Sequence, residues 1–451
     1  MSTHATVGTY QTLCDTLERV FDLGDGRTGG HTGAAAADHT GTAGHTGAAA
    51  ADHIDVEPDT GSPLELVSYP FSSANWRVHP AEDARNTDSA YRDIVSEHIE
   101  RFPYSERNFF HRLQPSDRDV PENLRFRYPV FVPKPATARF DRAIVLLHGL
   151  NEKSWSKYLP WAHRLAEQTG RPVILFPIAF HMNRAPRVWS NPREMITVSH
   201  ERKRLFPGVE ASSFVNAALS HRVHFAPHRF LTSGLQSYYD VTDLVRSIKS
   251  GTHELFTEGA RVDVFGYSIG AMLSQLLLLS DPAGLFADSR AFLFCGGSVM
   301  DQTQPVSKAI MDSEAHRALH RFSERLLADS EPTVPRGVQA LQGGVWEVET
   351  AKSLLLTEPM RAVRERAART VGHRMTALAM MKDRVFPPAG ITASWQTADG
   401  TMLMEVDTAD PPYEYAHERP FPTDSEAPSE VDRFFTEMIS RAAAHFAGHT
   451  A

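Results

Sequence analysis

The chain has 451 residues, 41% hydrophobic and 22% charged, with 46 Lys and Arg against 55 Asp and Glu for a formal net charge of -9. That composition is globular, and its acidic balance argues against a nucleic-acid partner. No apolar run reaches the roughly 18 residues of a bilayer span, the first residues lack the basic and apolar pattern of a leader so no export is expected, and the two cysteines, Cys14 and Cys295, are too few for a disulfide framework or a cysteine-based zinc site.

Residues 1–28 read as an N-terminal helical segment, since Leu13, Leu17, Val20 and Phe21 recur at helical spacing. Residues 29–62 read as a low-complexity, disordered linker. The unit His-Thr-Gly-Ala-Ala-Ala-Ala-Asp-His begins at His31 and again at His45, and it contains no large apolar side chain with which to build a core. Its histidines, His31, His39, His45 and His53, are chemically able to take a metal, but a flexible tether imposes no ligand geometry. Nine acids against two arginines fall within residues 1–60, so the body of the protein is nearly neutral. A neutral or weakly charged small molecule suits it better than a polyanion.

The folded domain is expected over 63–451. Leu64–Tyr69 and Leu124–Phe131 alternate as antiparallel strands do. From Ala143 onward, apolar runs alternate with helical patterns: Ala143–Leu147, a helix over about 156–168, Pro172–Phe176, Val262–Phe265 with an apolar helix behind it, and Ala291–Cys295. Met375–Met381, Met402–Val406 and a helix over about 430–446 continue the series. Runs apolar on both faces predict a mostly parallel sheet covered by helices on two sides, an α/β architecture. Two stretches, about 183–227 and 300–372, are too long for simple connections and read as insertions, the second rich in helix formers.

Gly266-Tyr267-Ser268-Ile269-Gly270 lies between an apolar strand and an apolar helix. A sharp strand-to-helix turn can present Ser268 as a nucleophile, with glycines relieving the crowding and the helix N-terminus facing developing negative charge. A serine needs a base, and the base a carboxylate. Asp383, just past a predicted strand, is the expected acid, and Asp301 competes with it. His417, beyond the last predicted strand, is the expected base. Backbone N–H groups of Leu150 and Ile269 would form an oxyanion hole, while Asn151, His181 and Tyr267, next to strand ends, are candidate pocket residues. Cys295 reads as a small buried hydrophobe. No zinc, phosphate-loop or dinucleotide motif occurs, so no metal or cofactor is expected.

His148-Gly149, the serine pentapeptide, Asp383-Arg384-Val385 and His417, in that order, resemble the α/β-hydrolase superfamily over about residues 124–447. Within it, His148–Trp155, Phe180-His181-Met182-Asn183-Arg184-Ala185-Pro186 and Phe294-Cys295-Gly296-Gly297 resemble a bacterial family of unassigned function. The resemblance implies an α/β-hydrolase fold, a cap built from the insertions, and a Ser268, Asp383, His417 triad acting on an ester-like acyl bond through an acyl-enzyme. It leaves open amide, thioester or carbon–carbon hydrolysis, acyl transfer, and a non-catalytic binding or scaffold role. Leu150 after His148-Gly149 departs from the glycine-rich loop of the lipase and esterase branch. The expectation is a cytoplasmic protein with a small-molecule substrate, no membrane span and an undetermined oligomeric state.

Overall fold

Strand residues in the centre of the molecule divide by parity between two cores. Val145, Leu147, Val262, Val264, Leu293 and Ala377 face one cluster, while Ile144, Leu146, Phe265, Tyr267, Phe294 and Leu378 face the other. That division is what a sheet covered on both sides requires, because successive side chains leave a strand in opposite directions. The structure is a computed structural model and describes residues 9–27, 52–53, 63–79, 116–134, 138–328 and 345–448. The alanine-rich repeat lies outside the described residues, apart from the backbone of Asp52–His53.

The strands are β1 (Asp52–His53), β2 (Leu64–Ser72), β3 (Arg125–Pro133), β4 (Phe140–Leu147), β5 (Val173–Leu175), β6 (Phe256–Tyr267), β7 (Ala291–Phe294), β8 (Met375–Met380) and β9 (Glu405–Ala409). They form one sheet in the order β1-β2-β3-β5-β4-β6-β7-β8-β9. The pairs from β1 to β3 and β3 with β5 are antiparallel, and every later pair is parallel. With the two-residue β1 set aside, one exchange of neighbours at β5 and β4 in an otherwise sequential order gives the α/β-hydrolase fold.

The longer helices are α1 (Tyr10–Arg27), α2 (Leu159–Thr169), α3 (Pro192–Leu205), α4 (Ala217–Phe225), α5 (His228–Lys249), α6 (Ile269–Ser280), α7 (Ser313–Leu327), α8 (Trp346–Ser353), α9 (Arg361–Val371), α10 (Pro388–Trp395) and α11 (Pro428–Ala447). One face of the sheet is covered by α5 and α6, the other by α2 and α11. Helix α1 packs onto the second face: the Tyr10 ring lies 4.7 Å from Phe435 and 5.5 Å from Phe421, and Tyr10 N donates to Asp432 Oδ1 at 2.6 Å.

One expected strand moves. Met402–Val406 is not the last strand, which is Glu405–Ala409. Met404 is buried and Leu403 N donates to Trp395 O, so that apolar stretch packs under α10 while the half-exposed edge strand follows it. Apolarity there reports packing, not pairing.

The two long stretches between strands pack on each other. Helix α7, from the second, packs on α4, from the first. Arg202 on α3 donates to both oxygens of Asp312 at 2.6 and 2.7 Å, and Asp312 caps α7 by accepting from Ala315 N. Both partners are almost wholly buried, where a bidentate guanidinium–carboxylate pair is strong and direction-specific.

Candidate active site

Strand β6 stops at Tyr267 and α6 begins at Ile269, which leaves Ser268 to make the whole turn at φ 57° and ψ -119°. This is costly backbone for a side-chain-bearing residue, and it turns the hydroxyl outward at the strand end. The glycines are steric necessities. A Cβ on Gly270 would stand 2.3 Å from Leu147 O, and one on Gly266 would stand 2.4 Å from Ser274 Oγ.

Three of the sequence candidates meet. His417 Nε2 lies 2.8 Å from Ser268 Oγ, and His417 Nδ1 lies 2.8 Å from Asp383 Oδ2. The other carboxylate oxygen of Asp383 accepts from Val385 N at 2.8 Å and Phe386 N at 2.9 Å, so the acid is fixed in orientation from behind. All three residues are buried. Asp301 is engaged elsewhere: it accepts from Thr357 N and Oγ1 at 2.8 and 2.6 Å.

The imidazole is also held by rings. Tyr267 and Phe386 lie nearly parallel to it, at interplanar angles of 15° and 21° with centroids 5.5 and 5.4 Å away. The Tyr267 hydroxyl donates to the His417 carbonyl. This corrects the expectation that Tyr267 lines the pocket. Its side chain points to the α2 side of the sheet, against Tyr158 and Trp161, and steadies the histidine loop instead. Cys295 is buried as expected, with burial and the neighbouring Asp383 carboxylate pushing its thiol well up, so it stays protonated.

The loop after β4 is organised by a buried network. Ile178 N donates to His148 Nε2 at 2.9 Å, which makes Nδ1 the protonated nitrogen and directs it to Gly149 O. Gly149 N donates to Tyr158 Oη, Tyr158 Oη donates to Glu152 Oε1, and Lys157 pairs with Glu152 while reaching Glu418 O at 3.2 Å. The loop carrying Leu150 and the loop carrying His417 are therefore tied together. Among the described residues, the N–H groups of Leu150 and Ile269 donate to no protein acceptor.

Two cavities adjoin the site. One, of about 600 Å³ with the open solvent at its mouth counted, includes Ser268 and is walled by Ile310, Met311, Leu319, Leu356, Val385 and Phe386. A second of about 1110 Å³, counted to its mouth, runs beneath the first insertion. They share Leu150, Phe230, Ile269, Met272 and Leu355 as walls. Asn151 and His181 border the larger one. Asn151 ties the two long stretches together, donating to Val215 O in the first and Ala309 O in the second. His181 Nδ1 donates to Ala179 O, and its buried Nε2 has no partner among the described residues. Burial lowers its pKa to about 4, so it is neutral. Phe386 and the Glu152 network carry no sequence signal of their own, since their roles depend on contacts between distant loops.

The profile of a family described as "Family of unknown function (DUF6051)" matches residues 52–447. No curated protein matches the chain by sequence. Among solved structures, the chain is similar to an acylaminoacyl peptidase of Pyrococcus horikoshii at 11% identity and a TM-score of 0.39, over 73% of this chain and 41% of that one. It therefore spans about two-fifths of that peptidase's length. A thermostable esterase of Pseudomonas putida is 10% identical with a TM-score of 0.38, over 71% and 79% of the two chains. A peroxisomal alpha-beta-hydrolase of Saccharomyces cerevisiae is 16% identical with a TM-score of 0.34, over 71% and 82%.

Proposed function

The chain belongs to the family of unknown function DUF6051, and from that premise we propose that it is a serine hydrolase cleaving an ester-like acyl bond of a small molecule through an acyl-enzyme. The observation that carries this reading is the single imidazole, His417, placed 2.8 Å from both Ser268 Oγ and Asp383 Oδ2. Ser268 Oγ attacks the substrate carbonyl while His417 Nε2 takes its proton. The tetrahedral oxyanion sits against the N–H groups of Leu150 and Ile269, both unengaged and both at the wall beside Ser268. Collapse breaks the carbonyl–oxygen bond of the ester, and His417 returns the proton to the leaving alcohol. Water then attacks the acyl-serine, His417 accepts its proton, and the acid departs as Ser268 recovers its own. Asp383 holds Nδ1–H throughout and stabilises the imidazolium.

Labelling tests the proposal. A fluorophosphonate should modify Ser268 in the folded protein, and Ser268→Ala should lose both labelling and ester turnover. Undiminished hydrolysis in Ser268→Ala, or a folded wild-type protein that resists the phosphonate, overturns it.

A further inference from the structure

The larger cavity is apolar over most of its wall, yet one side holds a charge cluster that is not balanced among the described residues. Asp117 receives Arg222 in a bidentate contact at 2.5 and 2.8 Å, and Arg222 adds a hydrogen bond to Ser233 Oγ at 2.9 Å. Arg229 approaches the same carboxylate only at 3.6 Å, and its Nη1 is buried with no hydrogen-bond partner. Arg229 is 94% buried, since only 6% of its surface is exposed, and both arginines line the cavity. Among the described residues, two guanidinium groups thus share one carboxylate. The neighbouring His79 touches Asp117 at 3.4 Å, but burial lowers its pKa to about 4 and leaves it neutral. Glu152, on the same cavity, is paired with Lys157. A buried guanidinium with a free donor is expensive unless something accepts from it.

We propose that this cavity is a subsite for a substrate arm that is apolar along its length and ends in a carboxylate, received by Arg229. The arm would run from the shared wall at Leu150 and Ile269, beside Ser268, past Met272, Leu276 and Phe180 to the guanidinium. The apolar walls reward the chain and the unbalanced charge rewards its end, which selects against the same chain ending in a neutral group. The substrate class is then a hydrophobic ester carrying a terminal carboxylate, such as a half-ester of a medium-chain dicarboxylic acid. This refines the hydrolase reading and rests on it for the placement of the scissile bond, while the subsite itself is open to test without turnover.

The test uses full-length Ser268→Ala protein and calorimetric titration with octanoate and with octanamide. Octanoate should bind at least tenfold more tightly. Arg229→Gln should remove that preference and Arg229→Lys should keep most of it. Equal affinities, binding of neither probe, or a preference that survives Arg229→Gln, as it would if the carboxylate sat at the oxyanion position, overturns the subsite. If Arg229→Gln does not fold, a pair of esters decides: the acyl carbonyl of each fills the oxyanion position, so the free carboxylate of the suberate is read elsewhere, and equal rates for the two esters overturn the subsite. In parallel, the wild-type protein should hydrolyse the mono-4-nitrophenyl ester of suberic acid faster than 4-nitrophenyl octanoate. Hydrolysis of neither ester together with an octanoate preference would sink the hydrolase reading and leave the subsite standing.

Discussion

At Asp383 every oxygen contact has a purpose: one oxygen faces His417 and the other is fixed by two backbone N–H groups. Asparagine keeps the shape but offers an N–H where an acceptor is needed, or flips and opposes the backbone donors. Asp383→Asn should therefore lower kcat by roughly 10³–10⁴-fold while the protein stays folded, as steady-state kinetics beside a thermal melt would reveal. Tyr267→Phe removes only the bond to the His417 carbonyl and keeps the ring. A fall of about three- to tenfold in kcat/KM is expected, and an unchanged value would mean that the stacked rings alone hold the imidazole. Ser268, Asp383 and His417 were legible in the sequence because the constraints on them are local: glycines flank a strand-to-helix turn, and an acid and a histidine follow successive strands. The position of Tyr267 was not legible. Parity along β6 sends it to the α2 side of the sheet, and parity is visible only once the register is known.

At the level of elements, the join between the insertions is the point of greatest consequence. Asp312 is both the N-cap of α7 and, among the described residues, the carboxylate paired with the buried Arg202. Asp312→Ala leaves an uncompensated guanidinium and an uncapped helix, and the expected cost is about 3–5 kcal/mol. Limited proteolysis should then cut within α3 or α7 before the sheet unfolds, and a variant as resistant as the wild type would refute the coupling. Excess length between strands points to insertions at about 183–227 and 300–372. That they pack on each other depends on Arg202 meeting Asp312 across 110 residues, a contact with no periodic trace. The β9 displacement has the opposite cause: an edge strand with few buried residues gives a weak apolar signal, and the stronger run beside it belongs to packing.

Across the whole molecule, several histidines are buried in the neutral form. Burial holds His79, His181 and His253 each to about 4, against an ordinary value of 6.5 in the unfolded chain. Between those values the unfolded chain binds more protons, so stability falls as pH drops from about 6.5 toward 4 and is flat above that window with respect to these groups. The thermal midpoint should be several degrees lower at pH 5 than at pH 7, and equal midpoints would contradict the neutral assignment. On α1, Tyr10 packs against Phe421 and Phe435 and Leu17 joins the same apolar cluster, yet the family profile begins only at residue 52. A chain trimmed to that boundary would bare an oily window on the back of the protein. It should self-associate on light scattering more strongly than the untrimmed chain at the same concentration.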